Sequence, residues 1–146
     1  MMEGKSKSIA SFRNLEVYNN SYNAMLLAAK EVLPKLPPHE KYDLLDQLSR
    51  SIKAVPCLIA EGYAKKHQKS GFQKYLDDAM AECNETIVGL EQARDLYQMN
   101  EEIVSGLVDQ YDKCARQLYN LSMAWNNFKK RTPKPSDDTG FETENE

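Results

Sequence analysis

Residues 101–130 read EEIVSGLVDQYDKCARQLYNLSMAWNNFKK, and this stretch decides the fold. Its apolar and aromatic positions, Ile103, Leu107, Tyr111, Cys114, Leu118, Leu121, Trp125 and Phe128, follow one another in steps of four and three. An α-helix turns once in about 3.6 residues, so these steps draw one stripe along one side of a long helix, in the manner of a coiled-coil seam. Such a helix is stable only when the stripe is covered, so the rest of the chain has to supply partner helices.

Working upstream, three more stripes appear. Phe72, Leu76, Ala79, Cys83, Ile87, Leu90 and Tyr97 mark a helix that begins after Ser70 and ends near Gln98. Tyr42, Leu45, Leu48, Ile52, Val55 and Ile59 mark one from His39 to Ala64, with Pro38 suited to its first turn. Leu15, Tyr18, Tyr22, Met25, Ala29 and Val32 mark the first helix, from Arg13 to Leu33. Pro34 ends it, because the residue before a proline is pushed out of helical geometry. Pro56 falls inside the second helix, where it removes a hydrogen bond and crowds the carbonyl of Ile52, at about 3 kcal/mol. A stretch this periodic is expected to bend there and continue. Connections of roughly 2–8 residues make successive helices antiparallel neighbours. The expected fold is therefore all-α, an up-down-up-down antiparallel four-helix bundle.

A chain of 146 residues, 41% of them hydrophobic, suits one domain with one core. Apolar runs alternating at period two, the mark of strands, are absent. The expected organisation is an N-terminal arm over residues 1–12, the bundle over 13–131 and an acidic tail over 132–146. In the tail, Thr132-Pro133-Lys134-Pro135-Ser136 leads into Asp137, Asp138, Glu142, Glu144 and Glu146, a composition that reads as disordered. Cys57, Cys83 and Cys114 are odd in number and lack metal-ligand spacing, so they are expected to be buried, reduced thiols of a cytosolic protein. No apolar run approaches the roughly 18 residues of a membrane span. The opening Met1-Met2-Glu3-Gly4-Lys5 lacks the apolar core of a signal peptide. A cytoplasmic location without membrane contact is the expectation.

The stretch Glu40-x-Tyr42-x-Leu44-Leu45-x-Gln47-Leu48-x-Arg50 is followed by Val55-Pro56-x-x-Ile59-Ala60-Glu61-Gly62. Phe12-x-x-Leu15-x-Val17-Tyr18 precedes it, and Phe72-x-x-x-Leu76-x-x-Ala79 with Glu85 follows. Together these resemble the four-helix-bundle proteins first noticed in intervening sequences of bacterial large-subunit ribosomal RNA genes. The accessory variability proteins of diversity-generating retroelements form a related branch. The resemblance covers residues 10–128. Arg50, Pro56, Glu61, Gly62 and Glu85 are the positions that carry the motif. The family usually has Ser and Asn where this chain has Ala54 and Leu58, and Gly-Ser where it has Ala81-Glu82. The resemblance implies a ring-shaped homo-oligomer, commonly a pentamer, with no catalytic residues and no small-molecule substrate. For the accessory branch it implies binding to a reverse transcriptase and to nucleic acid, through proteins that are typically strongly basic.

This chain has a formal net charge of −3, which argues against a uniformly basic nucleic-acid binder but leaves room for a local patch. In an alternating bundle, the start of the first helix, the turn after the second and the end of the fourth share one pole. That pole collects Lys5, Lys7, Arg13, Lys65, Lys66, His67, Lys69, Lys74, Lys129, Lys130, Arg131 and Lys134, while Asp95, Glu101 and Glu102 lie at the other. Lys65, Lys66, Lys69, Lys74, Lys129, Lys130 and Arg131 are the candidate nucleic-acid contacts, since clustered cations bind phosphate backbone by releasing counterions. The plainer alternative is that they are solvated helix ends matched to the helix dipole. Glu61 is placed to accept hydrogen bonds from Arg50 or a neighbouring subunit. Glu82 and Glu85 invite a di-metal reading, but bundle di-iron sites also need Glu-x-x-His, which is absent, so no metal or cofactor is expected. The tyrosines are expected to fill the core or an oligomer interface. No phosphate loop, dinucleotide fingerprint, nucleophile elbow or paired-cysteine zinc pattern occurs. Two functions follow: a non-enzymatic accessory protein of RNA or nucleoprotein acting through its basic end, or a structural, protein-interacting homo-oligomer.

Overall fold

Four helices, α1 (Glu16–Glu31), α2 (Leu44–Ala64), α3 (Gly71–Tyr97) and α4 (Glu101–Arg131), account for most of residues 11–131, the part of the chain that the computed structural model describes. No strand occurs among the described residues, and none of their helices is long and apolar enough to cross a membrane. α1 packs against α2 and α4, α2 against α3, and α3 against α4, while the backbones of the diagonal pairs stay more than 8 Å apart. This is a square bundle whose consecutive helices alternate in direction. Phe72 at the start of α3 meets Trp125 near the end of α4, and Arg94 near the end of α3 meets Glu101 at the start of α4. The acidic tail and residues 1–10 lie outside the described residues. Ser11 accepts a hydrogen bond from the Arg13 backbone and opens a short 3-10 turn, Phe12–Asn14, that packs against α2.

The core is made by Leu48, Ile52, Val55 and Ile59 of α2, by Leu76, Ala79, Cys83 and Leu90 of α3, and by Val104, Leu107, Tyr111, Cys114 and Leu118 of α4. Each large aliphatic side chain buried here contributes roughly 1.5–3 kcal/mol. That sum explains why α2 runs unbroken through Pro56. The hydrogen bond lost at Ile52 is small beside the burial of the stripe, in which the proline ring itself takes part.

The stripes read from sequence need correction at their edges. In α1 the inward row is Val17, Ser21, Ala24 and Ala28, whereas Tyr22 and Ala29 are exposed. The bundle thus takes the small face of α1 rather than the tyrosine face. In α4 Val104 is buried in place of Ile103, and in α3 Thr86 in place of Ile87. Tyr42 is 85% exposed, because α2 starts at Leu44 and not at His39. Leu33–Lys35 and Pro38–Glu40 form 3-10 turns instead, and the Glu40 carboxylate accepts the backbone N–H of Leu44 at 3.0 Å, supplying the cap for α2.

Two glycines bring α2 and α3 together. A Cβ on Gly62 would lie 2.7 Å from Tyr75 Cβ, and one on Gly89 would lie 2.7 Å from Leu48 Cδ2. Between them the buried Thr86 hydroxyl donates to Ser51 Oγ at 2.8 Å, and Ser51 donates to the Leu48 carbonyl. The cysteines divide: Cys83 and Cys114 are buried, whereas Cys57 is exposed.

Candidate nucleic-acid interface

The turn joining α2 to α3 sets the lysine-bearing end. Backbone bonds from Lys65 to Gly62, Gln68 to Lys65 and Gly71 to Gln68 curl the chain back on itself. Ser70 sits in the left-handed region at φ 63°. At Gly71 a Cβ would stand 2.3 Å from the Lys65 carbonyl oxygen, so only glycine permits this turn. The tight return places Lys65, Lys66 and Lys69 beside the first turns of α3.

Most of these cations sit against rings. Lys65 donates to the Tyr75 hydroxyl at 3.0 Å, and its ammonium lies 5.1 Å from that ring's centroid. That hydrogen bond to Tyr75 chiefly raises the Lys65 pKa, with Glu61 adding a smaller attraction. Lys66 lies 4.1 Å from the Tyr63 ring, Lys74 5.5 Å from Tyr75 and Lys129 5.9 Å from Trp125. Arg13 lies 4.6 Å from Phe12. Such contacts contribute roughly 0.5–1 kcal/mol at exposed sites and leave the positive charge available.

The rings themselves are joined. Tyr63 meets Phe72 edge-on at 6.3 Å, Phe72 meets Trp125 at 5.4 Å, and Trp125 meets Phe128 at 5.6 Å. The line crosses from α2 through α3 to α4, so Lys66 and Lys129, distant in sequence, flank one aromatic surface. Lys69, Lys130 and His67 are exposed around it, and the α4 backbone ends with Arg131. At the opposite end Arg94 is taken up by Asp95 at 2.8 Å and Glu101 at 3.9 Å. Lys5, Lys7 and Lys134 lie outside the described residues.

The motif residues are spread along the bundle. Arg50 pairs with Asp46 at 3.4 Å rather than with Glu61, which is exposed in the last turn of α2. Pro56 and Gly62 are buried. Glu85 is exposed and, with Gln47, Leu48, Ser51, Val88, Gly89 and Gln92, lines a groove of about 100 Å³ between α2 and α3, far below the usual range of ligand pockets. Burial, and then repulsion from Glu85, raise the Glu82 carboxyl pKa. Among the described residues no group of three or more His, Cys, Asp or Glu side chains is arranged to hold a metal ion.

Sequence reasoning found the cations but not their partners. The tyrosines were expected in the core or at an interface; Tyr111 is indeed buried, yet Tyr63 and Tyr75 stand under lysines. The signal was present for one pair, since Trp125 to Lys129 is four residues, a same-face separation on α4, whereas Lys66 lies beyond the end of α2 and reaches Tyr63 through the turn. Residues 13–120 match the family model described as 23S rRNA-intervening sequence protein. Among curated proteins nothing matches the chain.

Proposed function

Because the chain belongs to the 23S rRNA-intervening sequence protein family, we propose that it serves as a non-enzymatic accessory protein of RNA or nucleoprotein, holding phosphate backbone against the lysine-bearing end of its bundle. The observation that carries this reading is the gathering of cations against rings at this end, Lys66 and Lys129 on the Tyr63–Phe72–Trp125 line and Lys65 and Lys74 on Tyr75. A protein of net charge −3 binds a polyanion only through such a local concentration of cations. A reverse transcriptase is the proposed protein partner, and the cytoplasm the proposed place of action. In a closed homo-oligomer, proposed here as a pentamer, the basic ends repeat around one rim and add their affinities.

The test is a salt titration of RNA binding by the full chain and by the variant Lys65→Glu, Lys66→Glu, Lys69→Glu. Surface charges of this kind contribute about 0–1 kcal/mol to stability, so the variant's helix content and melting curve should stay close to wild type. Its RNA affinity should fall, and the slope of log affinity against log salt should drop by about 2–3 as counterion release is lost. If both proteins bind RNA equally poorly at low salt, the reading fails. The alternative, a structural or protein-interacting homo-oligomer with no nucleic-acid role, then takes its place. Exposed Tyr22, Leu26, Tyr119 and Met123 on α1 and α4 favour that second reading.

A further inference from the structure

The lysine-bearing end carries more aromatic surface than phosphate binding requires. The line of rings starts in the core, where Phe72 is 3% exposed, and emerges at Phe128, which is 53% exposed. Trp125 is half-buried between them, and Tyr63 is half-buried on the other side of Phe72. Trp125 and Phe128 lie 5.6 Å apart with their planes tilted by only 30°, so two nearly parallel rings close the line at its exposed end. A cation stands at each side, Lys66 at Tyr63 and Lys129 at Trp125.

We propose that this end selects single-stranded RNA over duplex, with unpaired bases stacking on Trp125 and Phe128 while Lys66 and Lys129 hold the flanking phosphates. The proposal rests on the nucleic-acid reading above and narrows its ligand. In a duplex the base faces are hidden against one another, so rings at a protein surface find only edges and phosphates. A single strand can turn its bases outward, and every base has a face that stacks on an aromatic ring. The lysines suit the exchange. In the free protein the Lys129 ammonium rests on Trp125; an arriving base displaces it, and the flexible four-carbon stem lets it swing to a phosphate, while Lys66 stays beside Tyr63 for the next one. The stripe of α4 also explains how the platform arises, since the step of three from Trp125 to Phe128 continues the core seam out to a half-exposed ring.

Trp125 is the single tryptophan of the chain, so its emission reports on the platform directly. The full chain is titrated with a short unstructured RNA, with a duplex of equal phosphate content and with heparin, a polyanion without bases. Single-stranded RNA should quench Trp125 and bind roughly tenfold tighter than duplex or more, as expected for stacked bases. Phe128→Leu keeps apolar bulk but removes the flat face. It should weaken single-strand binding by about 5- to 100-fold, the range for one lost base stack, and leave duplex and heparin binding unchanged. Lys129→Gln should weaken all three. Equal affinity for the three ligands with no quenching overturns the inference while leaving the accessory reading in place. Absence of binding to any of them at low salt removes the accessory reading itself. The wild-type quenching stands as evidence even if Phe128→Leu unfolds.

Discussion

Gly62 shows how one residue governs the distance between two helices. Any side chain there would drive a Cβ to 2.7 Å from Tyr75 Cβ and 3.3 Å from Phe72 Cδ1, neither of which is the free end of a flexible chain. Gly62→Ala should therefore destabilise the protein by about 1–3 kcal/mol through overpacking. Gly106, on α4, has nothing within 4 Å of the same position, so Gly106→Ala should stabilise by about 0.5–1 kcal/mol through helix propensity alone. Denaturant melts of the pair decide it; shifts of the same sign would show that space at Gly62 is not what matters. Tyr111 makes the opposite case, a polar atom in the wrong place. It is fully buried, burial pushes its hydroxyl pKa up, and its oxygen has no hydrogen-bond partner among the described residues. Tyr111→Phe should raise stability by about 1 kcal/mol, the desolvation cost of an unmade bond. A lower melting midpoint for the variant would point to a partner for that hydroxyl. Neither effect was legible in the sequence, where Gly62 read as a motif position and Tyr111 as one more member of the α4 stripe.

Among the elements, the entry to α2 departs most from its pattern. The periodicity suggested a helix from His39, but Glu40 folds into a 3-10 turn and becomes a shared acceptor. It takes the Leu44 backbone N–H at 3.0 Å and a short hydrogen bond from the Tyr97 hydroxyl at the far end of α3, while His39 Nε2 lies 3.0 Å from the same hydroxyl. The bond from Tyr97, then that from Leu44, hold the Glu40 carboxyl below its ordinary 4.5. The bond to Glu40, then burial, push the Tyr97 hydroxyl up from 10.0 to about 12. A lowered carboxyl pKa contributes stability above 4.5 that is lost as pH falls through the folded value. A raised phenol pKa contributes stability below pH 10 that is lost as pH rises towards 12. Tyr97→Phe should thus flatten both the acid and the alkaline limbs of the melting profile. Parallel profiles for wild type and variant would show that the contact carries no linkage. No periodicity could announce this, because Glu40 and Tyr97 are far apart in the chain and only the antiparallel return of α3 brings them together.

For the whole molecule the open question is what covers its flanks. Tyr22 and Leu26 are 42% and 52% exposed on α1, one helical turn apart and on one face. We propose these side chains, left to water together, as a contact surface. Light scattering of the full chain should give a closed homo-oligomer, and Tyr22→Glu with Leu26→Glu should give a folded monomer, since neither side chain belongs to the core. A wild-type monomer at micromolar concentration would remove self-association from the account of this protein.

The sequence alone determined the number of helices, their order and the helical continuation through Pro56, because hydrophobic periodicity over twenty or thirty residues is a strong and local signal. It also determined that lysines would gather at one end, since alternation of direction follows from short connections. Which face of α1 turns inward was decided by tertiary packing, because small Ser21, Ala24 and Ala28 fit between neighbours where Tyr22 does not. The seating of Lys66 on Tyr63 and of Lys65 on Tyr75, and the junction of Tyr63, Phe72, Trp125 and Phe128 into one line, were likewise settled only by the fold. A helix fixes neighbours three and four residues away, but contacts between helices depend on rotation and distance that no single stripe contains.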